Sequence, residues 1–100
     1  MRLTIEQVQL VKKTVDTILN APSHIWLFGS RVNDDKIRGG DIDLFIETQS
    51  LCPNRAETIC RLYGELVMTL GEQKIDIVLK DKNTTEVPIF DIARHSGVLL

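Results

Sequence analysis

The hydrophobic residues of the chain follow helical spacing in three segments. Apolar positions recur every three or four residues over 3–20, where Thr4 is a candidate N-cap, over 53–71, and from 84 to Gly97. Each segment is therefore predicted to form an amphipathic helix with one buried side. The buried residues predicted for the second helix are Ala56, Ile59, Cys60, Tyr63, Leu66, Val67 and Leu70. Those predicted for the third helix are Ile89, Ile92 and Ala93.

Three shorter segments, 24–28, 41–48 and 74–80, are predicted strands because they are apolar or alternate with a period of two. The element order is therefore helix, strand, strand, helix, strand, helix, and residues 98–100 remain as an apolar tail. This order predicts an α/β (α+β) fold, a small sheet with helices packed on one face and an open catalytic face. The chain is expected to form a single domain over residues 1–100.

Composition narrows the functional classes. The 100 residues are 43% hydrophobic and 26% charged, with a net charge of −2, so the basic surface of a general nucleic-acid-binding protein is not expected. Cys52 and Cys60 do not have zinc-site spacing, and they are interpreted as reduced thiols. The chain has no apolar run of membrane length and no signal-peptide core, so we predict a cytoplasmic protein without membrane contact.

Aspartates stand at matching positions of two predicted strands. Asp41 and Asp43 alternate with aliphatic residues in 41–48, and Asp76 alternates with aliphatic residues in 74–80. If both aliphatic faces pack under helices, all three carboxylates project from the opposite face and converge when the strands are neighbours. Such a cluster requires counter-charge, and Mg²⁺ prefers oxygen ligands of this kind. An isolated pair of aspartates has a simpler interpretation, as solvated residues at a turn or sheet edge.

A second candidate feature is Gly29-Ser30, directly after the first predicted strand. Glycine lets an anion approach the backbone closely, and exposed N–H groups at a following helix start can bind phosphate. Arg31 adds positive charge beside this turn. Taken alone, the pair is better explained as an ordinary strand-to-helix turn, and it is neither a Walker P-loop nor a Rossmann glycine motif.

Together, Phe28-Gly29-Ser30, Asp41-Ile42-Asp43 and Asp76 resemble the motif set of the DNA polymerase β-like nucleotidyltransferases. Within that superfamily, "GSR" and "GDIDL" are most similar to the minimal nucleotidyltransferase (MNT) domains, and the resemblance covers most of the chain. One departure is Gly40, which stands where many relatives have a small residue, often serine, before the first aspartate.

The resemblance implies a polymerase β-like fold and a set of residue roles. Asp41, Asp43 and Asp76 would be the catalytic and metal-binding residues, holding two Mg²⁺ ions. The residues that would bind the nucleotide, ATP or another NTP, are Gly29, Ser30, Arg31 and Gly40. The implied reaction transfers a nucleoside monophosphate to an acceptor hydroxyl.

The resemblance also implies a partner. MNT proteins are commonly paired with all-helical HEPN toxins, so either such a protein or a second copy of this chain would complete the site. The expected activity is adenylylation of a toxin tyrosine, which makes the chain an antitoxin. The alternative is an antitoxin that neutralises the HEPN toxin by complex formation without catalysis.

Overall fold

The fold was analysed in a computed structural model that describes residues 3–29, 42–71 and 74–100. The elements are, in chain order, α1 (Ile5–Leu19), β1 (Ser23–Phe28), β2 (Ile42–Thr48), α2 (Arg55–Leu70), β3 (Ile75–Lys80), α3 (Pro88–Ser96) and β4 (Val98–Leu99). No helix in these three ranges is long and apolar enough to cross a membrane.

The four strands form one mixed sheet in the order β3-β2-β1-β4. β2 pairs with β3 in parallel, whereas β1 pairs antiparallel with both β2 and β4. The fourth strand comes from the apolar tail, where the Leu100 N–H donates to the Ile25 carbonyl oxygen at 2.8 Å. β2 therefore lies inside the sheet, with a partner on each side.

Two helices cover one face of the sheet. The alternating aliphatic residues of β1, β2 and β3 point to this face, where α1 and α2 contribute their own apolar stripes. Capping defines the starts of both helices: Thr4 Oγ1 accepts from Gln7 N–H at 3.1 Å, and Asn54 Oδ1 accepts from Glu57 N–H at 3.1 Å. The fully buried residues of this core are Val11, Val15, Leu27, Ile42, Leu44, Ile46, Leu62, Leu66 and Leu79.

The buried stripe of α2 is rotated from the predicted one. Leu62, Leu66 and Leu70 are buried at intervals of four, whereas Tyr63 is 47% exposed and Cys60 is also exposed. Both stripes have helical spacing, so the pattern alone did not distinguish the tyrosine from the neighbouring leucine.

The third helix lies on the opposite face. Phe90 and Ala93 are its buried residues, and they pack with Phe45 of β2. The prediction that Ile89 and Ile92 are buried was wrong, since their side chains are 41% and 55% exposed. The fold class is confirmed, and the face expected to be open is partly covered by this single helix.

Arg94 fastens α3 to the sheet. Its Nη2 lies 2.9 Å from Glu47 Oε2 of β2, and its Nη1 lies 2.6 Å from Glu86 Oε1 and 3.0 Å from Asp91 Oδ1. The guanidinium carbon is 5.3 Å from the centre of the Phe45 ring, a cation–π distance. One side chain therefore joins the helix, the preceding loop and the central strand.

Asp81 joins the segments that follow β2 and β3. Its Oδ2 accepts from Cys52 N–H at 2.9 Å, and its Oδ1 accepts from Asn83 N–H at 3.0 Å and from the Thr84 hydroxyl at 2.8 Å. Burial by itself would raise the pKa of Asp81, but these hydrogen bonds together outweigh it and hold the pKa below its ordinary value.

We expect Asp81→Asn to destabilise the fold by about 1–3 kcal/mol at neutral pH. The NH₂ group of the asparagine would stand opposite the Cys52 N–H, which now donates to Asp81 Oδ2, so two donors would face each other. Chemical denaturation measures this change, and Asp16→Asn on the exposed side of α1 is the control, with little expected effect.

The pH dependence of that difference has a defined sign. A carboxylate with a lowered folded-state pKa stabilises the fold above its unfolded pKa of about 4, and this contribution is lost as the pH falls through the folded value. The gap in stability between the parent and Asp81→Asn should therefore narrow below about pH 4. A gap that is constant from pH 7 to pH 3 would contradict this role.

Candidate functional site

Two of the predicted aspartates lie side by side on neighbouring strands. Asp43 of β2 is in register with Asp76 of the parallel strand β3, and with Phe28 on the other side in β1. Residues in register on adjacent strands point to the same face, and neighbouring strands are about 4.8 Å apart. Phe28, Asp43 and Asp76 therefore form one row across the sheet, which we call the carboxylate row.

The carboxylate row lies on the face away from α1 and α2. Ile42 and Leu44, which flank Asp43, are fully buried in the helix-covered core. Asp43 is partly buried, and Asp76 on the edge strand is exposed. The two carboxylates therefore stand where a ligand from solvent can reach them.

Gly29 brings the backbone against the first of these carboxylates. Its φ is +99°, a left-handed conformation that side-chain-bearing residues rarely adopt. A Cβ atom built on Gly29 would overlap Asp43 Oδ2 and lie 3.3 Å from Asp43 Cγ. Glycine is thus required for two reasons, the backbone angle and the space taken by the carboxylate.

An aromatic layer lies next to the carboxylate row on the same face. Trp26 of β1 pairs with Phe45 of β2. Trp26 lies two residues before Phe28, and Phe45 lies two residues after Asp43, so this pair is next to the carboxylate row. The rings of Trp26 and Phe45 are stacked at 5.3 Å, and Phe90 of α3 stacks on Phe45 at 5.1 Å. Sequence analysis did not assign this layer, although the matching parity of Trp26 and Phe45 could have indicated it.

The remaining predicted site residues lie outside the described ranges. Ser30, Arg31, Gly40 and Asp41 belong to the segment 30–41, which adjoins Gly29 on one side and β2 on the other. Within residues 3–29, 42–71 and 74–100, no group of three metal-ligating acid, histidine or cysteine side chains occurs. The described part of the site therefore consists of Gly29, Asp43 and Asp76.

These three residues have the chemistry that a magnesium–phosphate complex needs. Two adjacent carboxylates supply hard oxygen donors, which Mg²⁺ prefers, and the metal usually completes its coordination with water and phosphate oxygens. The absence of a side chain at Gly29 lets the backbone at the end of β1 lie directly against the Asp43 carboxylate. The residues present fit a divalent cation bound together with a phosphate group.

A cavity of about 560 Å³ lies between α1 and α2, on the far side of the sheet, and it is lined by residues such as Leu10, Cys60 and Gly64. This cavity is not a candidate catalytic site, because its lining lacks a pair of carboxylates. The row of Asp43 and Asp76 is the stronger candidate, since charge and backbone geometry coincide there.

The fold and this site define a small α+β domain with a candidate site for a metal-bound phosphate. Residues 9–100 match the family model described as "Polymerase beta, Nucleotidyltransferase". The chain belongs to this nucleotidyltransferase family, which makes it a transferase. No curated protein gives a significant match to the sequence.

We expect Gly29→Ala to destabilise the fold by about 1–3 kcal/mol, because the new Cβ is strained at φ +99° and displaces the Asp43 carboxylate. Thermal unfolding measures the stability, and the carboxyl ¹³C shift of Asp43 reports the displacement.

Gly64→Ala is the matched control. Gly64 lies inside α2, and a Cβ there would meet no atom within 4 Å. This change should leave the Asp43 signal unchanged and raise stability by up to about 1 kcal/mol. Equal effects of the two substitutions would contradict the special role of Gly29.

Proposed function

We propose that the protein is a magnesium-dependent nucleotidyltransferase that transfers a nucleoside monophosphate, AMP in the first instance, from an NTP to a hydroxyl group. The observation that carries this proposal is the pairing of Asp43 with Asp76 beside the backbone of Gly29. Membership of the nucleotidyltransferase family supports the reaction class. The specific donor, metal and acceptor are our inference.

The reaction is a displacement at phosphorus. The acceptor hydroxyl oxygen forms a bond to the α-phosphorus, the bond from that phosphorus to the bridging β-phosphate oxygen breaks, and pyrophosphate leaves. Bound Mg²⁺ would neutralise the charge that develops on the phosphate oxygens. We assign Asp43 and Asp76, with Asp41, to holding the metal. Asp76, the exposed member, is also assigned to accept the hydroxyl proton.

The phosphate side of the site is assigned to the turn after β1. Gly29 lies against the Asp43 carboxylate, and Gly29, Ser30, Arg31 and Gly40 are proposed to bind the triphosphate. Positioning and charge neutralisation supply most of the catalysis in phosphoryl transfer, so a site with few residues can suffice.

The acceptor is proposed to be a tyrosine of a HEPN-type toxin, and the protein is proposed to act in the cytoplasm as its antitoxin. Support comes from the MNT-like motifs around Gly29 and Asp43. The competing function, neutralisation by complex formation alone, differs in one respect that can be tested: it does not need the carboxylates.

We expect Asp43→Asn to lower the rate of nucleotide transfer at least a hundredfold, because an amide is a poor ligand for Mg²⁺ and removes one negative charge from the site. Labelled ATP, Mg²⁺ and the proposed HEPN-type partner are the reagents, and Asp16→Asn is the control with unchanged transfer. Chelation of the metal should abolish transfer, and added Mg²⁺ should restore it.

Two results would overturn parts of this proposal. Absence of label on any acceptor, with folded protein and each of the four NTPs, would exclude the enzyme. Protection of cells from the toxin by Asp43→Asn, at the level given by the parent chain, would show that binding alone neutralises the partner.

A further inference from the structure

β3 forms one edge of the sheet. Within the described residues it pairs only with β2, and all six of its residues stay in register without a bulge. It contains no proline. Regular edge strands readily pair with another extended chain unless bulges, proline or covering segments prevent it. Part of this edge is therefore suited to receive a further strand.

The directions of the backbone N–H and C=O groups show which part of the β3 edge can pair with a further strand. In a parallel pair, the backbone groups of every second residue point to the same neighbouring strand. The Ile42 N–H donates to the Lys74 carbonyl oxygen at 2.8 Å, so Lys74 and every second residue after it face β2. The N–H and C=O groups of Ile75, Ile77 and Leu79 consequently point away from β2. The Leu79 carbonyl oxygen already accepts from Arg55 Nη2.

Arg55 therefore occupies the far end of the edge and leaves the near end for a partner. The near end, Ile75 to Ile77, brackets Asp76, whose side chain is exposed on the face of the carboxylate row. A site for pairing a strand and a candidate catalytic residue thus coincide at three consecutive residues.

We propose that the acceptor is a hydroxyl-bearing segment of a partner polypeptide, which binds as an added strand along Ile75–Ile77 with its hydroxyl residue opposite Asp76. This inference rests on the proposed transferase function and specifies how that site recognises its acceptor. Backbone hydrogen bonds supply the affinity in this mode, and alternate side chains supply specificity.

The geometry favours an extended segment over a free small molecule. A strand added at about 4.8 Å from β3 would point the residue paired with Asp76 onto the same face as that carboxylate. Its two neighbours would point to the helix-covered face beside Ile75 and Ile77, which belong to the apolar core. The preferred acceptor is therefore a tyrosine, serine or threonine flanked by aliphatic residues.

The test uses the peptide Lys-Thr-Val-Tyr-Val-Thr-Lys as the acceptor, with ATP and Mg²⁺. Three variants each carry one backbone N-methyl group, on the first valine, the tyrosine or the second valine. N-methylation of residues whose N–H faces β3 should reduce transfer at least tenfold, and N-methylation of the others should have little effect. Loss at both valines indicates an antiparallel segment, and loss at the tyrosine alone indicates a parallel one.

Amide hydrogen exchange tests the same contact without chemistry. Saturating peptide should slow exchange of the Ile77 N–H at least tenfold, whereas the Val78 N–H, which the alternation directs to β2, should not change. Ile77→Pro should remove peptide binding because it deletes an outward donor only, and Ile77→Ala, which keeps the N–H, should retain binding.

The outcomes separate this inference from the proposed function. Transfer to the peptide that is insensitive to N-methylation, or that is no faster than transfer to N-acetyltyrosine amide, would overturn the added strand while leaving the transferase intact. Absence of transfer to every acceptor would overturn the proposed transferase function. Exchange of the Ile77 N–H would still show whether the edge binds the peptide. Exchange that is unchanged by saturating peptide would overturn the added strand.

Discussion

The pairing of β2 with its two neighbouring strands is the constraint on which the rest of the structure depends. It places Asp43 between Phe28 and Asp76, so residues from three separate parts of the chain form one row. Side chains alternate between faces along a strand, and a shift of β2 by one residue would move Asp43 into the helix-covered core. Positioning of the site and burial of the core are therefore two consequences of the same register.

The difference between the two faces of β2, one aliphatic and buried and the other carrying Asp43, stabilises that register. Ile42, Leu44 and Ile46 are fully buried under α1 and α2, and burial of each side chain contributes about 1.5–3 kcal/mol. A shifted strand would lose these contributions and also desolvate a carboxylate. Packing of the aliphatic face of β2 therefore determines the positions of the carboxylates on its opposite face.

Much of this arrangement could be predicted from the sequence because it follows from period-two alternation. The three longer strands, the shared face of Asp43 and Asp76, and the helix ends at Gly71 and Gly97 follow from local patterns. The pairing of β2 with β3 is a tertiary contact, which parity allowed but did not require. For the candidate site, sequence analysis indicated the residue types and their face, and only the fold could supply their register.

Other features were beyond a local pattern. β4 is two residues long, too short for any alternation to be visible, and it exists because β1 offers an edge. The side on which α3 is buried depends on contacts with Phe45, so helical spacing alone did not distinguish Phe90 from Ile89. Asp81 and Arg94 carry no sequence signal, since their partners come from distant segments.

The helix α3, on the same face of the sheet as the carboxylate row, shows how the site is held in place. α3 ends at Gly97, where an added Cβ would overlap the Ala93 carbonyl oxygen and lie 3.2 Å from Phe28 Cβ. This close approach places the end of the helix against the last residue of β1, next to Gly29. At its other attachment, Arg94 binds Glu47, which shares a face of β2 with Asp43. One short helix thus contacts β1 and β2, two of the three strands that carry the site, and it leaves the β3 edge beside Asp76 to face solvent within the described chain.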